Sequence, residues 1–295
     1  MLDLVMIVGP TAVGKTKLSV EVAKKFSCEI INGDAMQFYQ GLDIGTAKIK
    51  PQEMQGIKHH LLDILSPEAE FSVAEYQTLV REKIAILKEK GLFPVIVGGS
   101  GLYLSSVVDD YQFLGEKRNT ELMKEYDELS TESLARILID TKPLLAKKCD
   151  LSNRRRVLRT LEKSESDLQE QTMPYYDNAL IIGLEIERKV LYQRIEERVD
   201  SMIKNGLIEE ALKFYELGIT GQSIKAIGYK ELFSYFKGEI TLEEAISLIK
   251  RNSRRYAKRQ MTWFKNKMNV TWFNVDLNDF NNTVIEVIEY IKKRS

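Results

Sequence analysis

Short apolar, β-branched runs alternate with longer amphipathic stretches along most of the chain. The runs lie at Leu4–Val8, Glu29–Asn32, Pro94–Val97, Ala179–Glu185 and 270–275. Runs of this length between turn residues are typical of buried strands, and the stretches that separate them have helical periodicity. The alternation predicts an α/β fold in which a parallel sheet carries helices on both faces.

One amphipathic stretch has a complete set of helix signals. Ser72 and Glu75 have the spacing of a capping box, and Gly91 ends the pattern before the next predicted strand. The apolar stripe between these signals consists of Val73, Tyr76, Val80, Ile84 and Leu87. The pattern predicts a crossover helix between two parallel strands.

The strand pattern is interrupted once, in the middle of the chain. Polar, charged helical stretches at 121–129, 133–139 and 153–163 replace it before the run at 179 resumes the sheet. We therefore expect a catalytic core formed by residues 1–110 and 178–295, with a mainly helical insertion domain at 111–177.

Composition narrows the class of protein further. The chain has 295 residues, 44% of them hydrophobic, and its 43 Lys and Arg balance 43 Asp and Glu, so the global charge does not indicate a nucleic-acid partner. Cys28 and Cys149 lack metal-ligand spacing, and Cys28 is expected in the core. No apolar run approaches the ~18 residues of a membrane span, and no leader precedes the first strand, so we expect no membrane partner and a cytoplasmic location.

Candidate chemistry begins directly after the first predicted strand. The sequence Gly-Pro-Thr-Ala-Val-Gly-Lys-Thr matches the phosphate-loop (P-loop) pattern, and a predicted helix follows it. Loop and first-turn N–H groups would surround a polyphosphate, Lys15 would reach its outer oxygens, and Thr16 would be a ligand of Mg²⁺. A glycine-rich turn with a chance lysine is the alternative, and the motif leaves open whether the anion is a nucleoside triphosphate or another diphosphate. The predicted diphosphate-binding residues are Gly9, Pro10, Thr11, Ala12, Val13, Gly14, Lys15 and Thr16.

Two polar side chains follow neighbouring strand ends. Asp34 comes just after the second strand, and Ser100 lies in the glycine-rich turn after the third. Ligands of open parallel sheets bind at the carboxyl ends of strands, which places Asp34 beside the phosphate loop. Asp34 is predicted to act as a base or as a magnesium ligand, and a helix cap is the alternative role. For the segment around Ser100, a simple turn is the alternative.

Arginines supply the remaining candidates. Arg194 and Arg198 share one side of a predicted helix and could hold a leaving pyrophosphate, although a solvated salt-bridge face has the same spacing. Two basic clusters, with Tyr256, Trp263 and Phe264 in or after the second, favour RNA contacts over a charged helix face. The clusters consist of Arg154, Arg155, Arg156 and Arg159, and of Lys250, Arg251, Arg254, Arg255, Lys258 and Arg259. His59 and His60 receive no functional role.

Four segments together resemble a known family, the tRNA dimethylallyltransferases. They are residues 9–16, 32–48, 98–103 and 258–263. The phosphate loop is common to many families, whereas Asp-Ile-Gly-Thr-Ala-Lys at 43–48 and Lys-Arg-Gln-Met-Thr-Trp at 258–263 are far more specific. The resemblance covers nearly the whole chain, and the lack of a Cys/His tail implies a bacterial-type member.

The resemblance implies a P-loop NTPase-like core and a defined reaction. A dimethylallyl group would pass from dimethylallyl diphosphate to N6 of adenosine 37, next to the anticodon of tRNA, with Mg²⁺ as cofactor. Asp34 would be the general base, Ser100 would line the reaction channel, and Arg198 would help to hold the diphosphate. The partners would be the anticodon stem-loop of tRNA and the prenyl donor, and the enzyme is expected to be a monomer.

The resemblance also implies a set of tRNA contacts. They are Asp34, Ala35, Met36, Gln37, Ser100, Arg118, Arg155, Arg156, Ser223, Ile224, Lys225, Ser253, Arg254, Arg255, Lys258, Arg259 and Gln260. The sequence departs from the family pattern in three places. Ser100 replaces the usual threonine, Lys225 replaces the usual arginine, and residues 162–171 lack the usual Tyr and Thr-Gly.

Two other functions would use the same phosphate loop. A small-molecule or nucleoside kinase would bind and turn over ATP, although the basic segment 250–259 does not suit it. An RNA-binding switch protein would use nucleotide without catalysis.

Overall fold

A six-stranded, wholly parallel sheet forms the centre of the molecule in the computed structural model, which describes residues 2–111, 125–162 and 173–294. The strand order is β3-β2-β4-β1-β5-β6. The strands are β1 (Leu4–Val8), β2 (Glu29–Asn32), β3 (His59–His60), β4 (Pro94–Val97), β5 (Ala179–Glu185) and β6 (Thr271–Asn274). The α/β fold expected from the alternating pattern is confirmed.

Five strands lie where the apolar runs predicted them, and β3 was not predicted. Two residues are too few to show a periodic pattern, and β3 exists because His59 and His60 pair with Ile30 and Ile31 of β2. Strand β6 is also shorter than the run at 270–275 from which it was predicted.

Helices cover both faces of this sheet. Across all the described residues, including those of a smaller unit considered below, the helices are α1 (Lys15–Phe26), α2 (Pro51–Met54), α3 (Val73–Glu89), α4 (Gly101–Val108), α5 (Thr131–Thr141), α6 (Pro143–Ala146), α7 (Arg154–Leu161), α8 (Arg188–Lys204), α9 (Leu207–Glu216), α10 (Tyr229–Phe236), α11 (Leu242–Lys267) and α12 (Phe280–Arg294). Strand residues alternate between two buried clusters, one shared with α1 and α12 and one shared with α3, α4 and α11. The sheet is therefore buried on both sides, as its continuous apolar strands require.

Helix α3 forms as its sequence predicts. Ser72 Oγ accepts a hydrogen bond from Glu75 N at 3.1 Å, and Glu75 Oε2 accepts one from Ser72 N at 2.7 Å. Tyr76, Val80 and Ile84 are almost fully buried. The capping box and the buried stripe are confirmed.

The chain divides into two compact units, Met1–Asp110 with Pro174–Ser295, and Tyr111–Met173. Within the smaller unit, Leu134, Leu138 and Val157 form the centre of a separate apolar cluster of the helices α5 to α7. The Arg154 guanidinium donates to the backbone carbonyls of Tyr126 (2.9 Å) and Asp127 (3.0 Å), so this arginine holds the unit together.

Two further expectations concern the core and the membrane. Cys28 is only 4% exposed, in agreement with its predicted place in the core, and both cysteines are free thiols. Among the described residues, no helix combines the length and the apolar character that crossing a membrane would require.

Candidate active site

The phosphate loop, residues 9–16, joins β1 to α1 and requires glycine at two positions. Gly9 and Gly14 have φ values of 142° and 111°, and a Cβ atom on Gly9 would lie 2.7 Å from the backbone oxygen of Leu184. Gly14 is the N-cap of α1 and provides no capping side chain. The first-turn N–H groups of α1 are therefore available to an anion.

Lys15 bends back over this loop. Its Nζ donates to the backbone oxygens of Gly9 (3.0 Å) and Pro10 (2.7 Å). Burial lowers the pKa of Lys15 to about 8, against an opposing effect of the negative charge on Asp34. A bound anion would raise the pKa of Lys15, because a nearby negative charge stabilises the ammonium form.

Asp34 stands at the end of β2, where Asn32 orients it. Asn32 Oδ1 accepts from the Asp34 N–H at 3.0 Å, and Asn32 Nδ2 donates to the Asp34 carbonyl at 3.1 Å. Burial raises the pKa of the Asp34 carboxyl group, while Lys15 and Arg198 act in the opposite direction. A carboxylate with a raised pKa is a stronger base, which suits proton abstraction.

The Asp34 carboxylate also has the capping role that the sequence left open. Its Oδ1 accepts a hydrogen bond from Met36 N at 3.4 Å, at the start of the short 3₁₀ helix Ala35–Phe38. This long contact fixes the orientation of the carboxylate without occupying both of its oxygens. Capping and chemistry are therefore compatible in one residue.

The turn after β4 packs directly against the turn after β2. A Cβ atom on Gly98 would lie 2.1 Å from the backbone oxygen of Gly33, so only glycine permits this approach. Ser100 Oγ accepts a hydrogen bond from Ala35 N at 3.0 Å. Tyr256 of α11 lies close enough to the Ser100 side chain for Ser100 to oppose the rise that burial causes in the pKa of the Tyr256 hydroxyl. The Ser100 hydroxyl thus links the Asp34 turn to α11.

These elements surround a cavity of about 590 Å³ at the carboxyl edge of the sheet. Its walls contain many of the residues that the sequence selected. They are Thr11, Lys15, Thr16, Asp34, Ala35, Met36, Gln37, Ser100, Arg198, Lys225, Ser253, Arg259 and Gln260. The phosphate loop, the end of β2, the turn after β4 and the helices α8 and α11 thus meet around one space.

Arg194 and Arg198 have different surroundings in α8. Arg198 lines the cavity and is partly buried, whereas the exposed Arg194 donates from Nε to the backbone oxygen of Ala12 at 3.0 Å. Ala12 itself has a positive φ of 65°. Arg194 therefore supports the phosphate loop from outside, and Arg198 is the one placed to meet a ligand.

Several residues that the resemblance predicts to contact tRNA do not line the cavity. Ser223 and Ile224 are buried, and Ser223 Oγ donates to the backbone oxygen of Pro67 at 2.5 Å, so their side chains face the protein interior. Arg155 and Arg156 lie in the smaller unit, both exposed. Arg118 lies outside the described residues.

The second basic cluster divides between two sides of α11. Lys250 pairs with Asp200 of α8 at 2.6 Å, and Arg254 pairs with Glu196 of the same helix. The exposed residues Arg251, Arg255, Lys258 and Arg259 occupy the other side, and no described acidic group lies within ion-pair distance of them. We call these four residues the outer basic face.

The loop 41–48 contains the specific Asp-Ile-Gly-Thr-Ala-Lys sequence. The backbone N–H groups of Asp43, Ile44 and Gly45 donate to the carboxylate of Glu210, at distances of 2.9 to 3.1 Å. The Tyr229 hydroxyl donates to the same carboxylate at 2.5 Å. Three of the six motif residues thus fasten the loop to α9 and α10, and Gly45, Thr46 and Ala47 also line the cavity. Sequence reasoning did not identify Glu210.

The histidine pair has protein partners. His60 Nε2 contacts the Glu29 carboxylate, and His59 Nδ1 donates to the backbone oxygen of Ile57 at 2.9 Å. Burial lowers the pKa of both histidines.

Sequence reasoning also gave no role to Asn32, although a buried Asn directly before Gly-Asp at a strand end was an available signal.

Comparison with known proteins adds the family. A family model described as IPP transferase matches residues 37–267. The chain belongs to the IPP transferase family. The resemblance drawn from the four sequence segments is confirmed.

Relatives of this IPP transferase family member match over nearly its full length. A tRNA dimethylallyltransferase of Anoxybacillus flavithermus is 50% identical, over 98% of this chain and 96% of its own. The crystal structure of a tRNA isopentenylpyrophosphate transferase from Bacillus halodurans is 46% identical over 99% of this chain and 96% of its own, with a TM-score of 0.78. A eukaryotic dimethylallyltransferase, described as acting on tRNA, has a TM-score of 0.85 at 26% identity and covers 99% of this chain and 80% of its own.

Proposed function

We propose that the protein transfers a dimethylallyl group from dimethylallyl diphosphate to N6 of adenosine 37, beside the anticodon of tRNA. The carrying observation is the cavity in which Asp34 lies within electrostatic reach of both Lys15 and Arg198. A base toward the acceptor and two cations toward the leaving group are what this transfer requires. Membership of the IPP transferase family supports the same reaction.

The acceptor side depends on Asp34. The lone pair of adenine N6 is delocalised into the ring, so the amine attacks only as its proton is removed. The new bond joins N6 to C1 of the prenyl group while the bond from C1 to the diphosphate oxygen breaks. The proton passes to the Asp34 carboxylate, and diphosphate leaves with the electron pair of the broken bond.

The donor side depends on cations and N–H groups. Lys15, Arg198 and the first-turn N–H groups of α1 would stabilise the negative charge that grows on the departing diphosphate. Arg194 would act indirectly, because it holds the backbone of Ala12. The prenyl donor contains the activated bond, so no nucleoside triphosphate is consumed.

The residues present fit a magnesium ion that is held mainly by its substrate. The described residues contain no cluster of three His, Cys, Asp or Glu that would hold a metal alone. The Thr16 hydroxyl, exposed at the start of α1 and on the cavity wall, is an oxygen donor of the kind Mg²⁺ accepts together with phosphate oxygens and water. When bound there, Mg²⁺ would neutralise part of the diphosphate charge.

The RNA would bind through charge on the protein surface. The outer basic face, with Arg155 and Arg156 of the smaller unit, would contact backbone phosphates. The target adenine must leave the base stack to reach Asp34, because N6 is inaccessible within a stacked loop. As parts of the same proposal, the protein acts as a monomer in the cytoplasm, where its tRNA substrate is found.

The test combines product formation with RNA binding. Purified protein, Mg²⁺, dimethylallyl diphosphate and an unmodified anticodon stem-loop should yield N6-alkylated adenosine at one position, detected by mass spectrometry. The matched control is Asp34→Asn, which keeps the capping acceptor but lacks the base, and it should lower kcat by about 10²-fold or more at unchanged RNA affinity. Transfer to free AMP but not to the stem-loop would contradict the proposal.

A further inference from the structure

Gln260 is a buried polar residue that directly follows two exposed basic residues of α11, Lys258 and Arg259. Gln260 itself is only 4% exposed. Gln260 Oε1 accepts from the Thr11 N–H at 3.0 Å, and Gln260 Nε2 donates to the backbone oxygen of Gly99 at 2.9 Å. Both ends of the amide thus have a protein partner, although Gln260 also lines the cavity.

The two contacts of Gln260 join the two halves of the site. Thr11 belongs to the phosphate loop, and Gly99 directly precedes Ser100, which holds the turn that carries Asp34. Tyr256, one helical turn earlier, lies close enough to the side chains of Ser100 and Gln260 for both to oppose the rise that burial causes in the pKa of its hydroxyl. One amide therefore connects the donor loop, the acceptor turn and α11.

We infer that Gln260 is a positioning residue, which sets the separation of the phosphate loop from the Asp34 turn and does not bind RNA. This inference rests on the proposed function, in which the diphosphate binds at the phosphate loop and the attacking amine lies at the Asp34 turn. The nitrogen, C1 and the leaving oxygen must be aligned for the transfer. A misplacement of ~1 Å between the two halves can cost about 10²-fold in rate.

The chain offers a second way to break the same linkage without changing residue 260. A Cβ atom on Gly99 would lie 2.0 Å from Gln260 Nε2, so Gly99→Ala must displace the amide. The nearest atom outside Gln260 is the backbone oxygen of Gly9, 3.7 Å from that Cβ, which is an ordinary contact. Gly99→Ala therefore acts on the Gln260 amide more than on any other group.

The experiment measures kcat, the KM for dimethylallyl diphosphate and the Kd of the anticodon stem-loop in four proteins. They are the wild type, Gln260→Met, Gly99→Ala and the double variant. Each single change should lower kcat by about tenfold to 10²-fold and leave the RNA Kd within about twofold. The double variant should be no slower than the slower single variant, because both changes break one linkage.

Two further variants complete the design. Lys258→Met, two residues away on the outer basic face, should raise the RNA Kd, which is the quantity that Gln260→Met leaves alone. Gln260→Glu keeps the acceptor for Thr11 N but places a carboxylate oxygen against the Gly99 carbonyl, and it should also lower kcat. With thermal unfolding recorded for every variant, Gly99→Ala and Gln260→Glu test the inference if Gln260→Met does not fold.

Specific results would overturn the inference. A Gln260→Met protein with a raised RNA Kd and wild-type kcat at saturating RNA would show that Gln260 is an RNA contact. If the fold-losses in kcat of Gln260→Met and Gly99→Ala multiply in the double variant, the two residues have independent roles. Failure of the wild type to prenylate the stem-loop would reject the proposed function itself, whereas an active wild type with unaffected variants would reject only the role of Gln260.

Discussion

Two loops of this protein are specialised for negative charge, and they differ in where that charge comes from. The phosphate loop, residues 9–16, leads into the uncapped N-terminus of α1 and lines the cavity. The loop 41–48 directs the N–H groups of Asp43, Ile44 and Gly45 at the carboxylate of Glu210, which belongs to the chain itself. One loop is available to a ligand, and the other is already satisfied by the fold.

The difference separates a binding motif from a structural one. Backbone N–H groups that converge on an anion are the same physical device in both loops. Under the proposed function, the groups of the first loop stay available for the diphosphate, so they would contribute to catalysis and little to stability. In the second, the internal carboxylate satisfies the groups permanently, so they contribute to stability. Part of a highly specific motif can therefore serve the fold, while Gly45, Thr46 and Ala47 of the same loop line the cavity.

Lys15→Met should give the largest effect and should act on catalysis alone. The variant removes a cation that the proposed function places against the diphosphate, and kcat/KM for dimethylallyl diphosphate should fall by about 10²-fold to 10³-fold. Because burial already disfavours the charge of Lys15, the melting temperature should stay the same or rise. Steady-state kinetics and thermal unfolding check both parts, and a clear loss of stability would contradict the comparison.

Glu210→Ala should have the opposite profile. Three backbone N–H groups and the Tyr229 hydroxyl lose their acceptor, and the free energy of unfolding should fall by about 3 kcal/mol. Glu210→Gln is the matched control, since it keeps one acceptor oxygen and should lose roughly half as much. Chemical denaturation measures both variants, with kcat recorded well below the melting temperature. A loss of kcat as large as that of Lys15→Met would show that the loop 41–48 takes part in the reaction.

The pH dependence should affect substrate use and stability in opposite directions. The pKa of Lys15 is lowered to about 8, so kcat/KM for the donor should decline above about pH 8 as the ammonium loses its proton. Over the same range the unfolded chain, whose lysine titrates near 10.5, binds more protons than the native state, so this group makes stability rise with pH.

The acid side of the profile should report Asp34. Its raised pKa places the loss of base activity at a pH above the ordinary value of 3.8.

The alkaline side of the profile tests Lys15. The profile of kcat, measured with donor bound, should hold to higher pH than that of kcat/KM, because the bound diphosphate favours the Lys15 ammonium. Identical alkaline limits for kcat and kcat/KM would argue against Lys15 as the group involved. The contribution of Lys15 to the pH dependence of stability is the difference between the unfolding free energies of the wild type and of Lys15→Met, measured over the same pH range.

Tyr229→Phe should give the smallest effect. The Glu210 carboxylate loses one of its donors and keeps the three N–H groups, so the free energy of unfolding should fall by about 1 kcal/mol. Denaturant unfolding measures this change. Because Tyr229 does not line the cavity, kcat/KM should remain close to the wild-type value, and a drop of tenfold or more would place the residue closer to the chemistry.

Much of the fold was predictable because its signals are local. Five strands, the phosphate loop between a strand and a helix, and the capping box of α3 each depend on residues a few positions apart. The position of Asp34 at the cavity followed from one general rule on strand ends. The two-residue strand β3 escaped prediction because only its partner β2 makes it a strand.

The site was predictable as a list of residues but not as a set of roles. Gln260 was predicted to contact RNA, which stays a prediction, and the structure shows its amide bound to Thr11 and Gly99, 249 and 161 positions away in sequence. Arg254 was expected there too, and its guanidinium is paired with Glu196 of α8. A glutamine that binds RNA and one that binds backbone look the same in a sequence.

The sequence by itself determined the α/β fold, the phosphate loop and the family, because each is encoded by short segments with their own spacing and periodicity. Only the tertiary structure decided which basic side of α11 is neutralised, that Glu210 occupies the loop 41–48, and that Gln260 joins the two halves of the cavity. The physical reason is the same in each case. A hydrogen bond or ion pair needs two partners, and folding brings together partners that lie far apart in the chain.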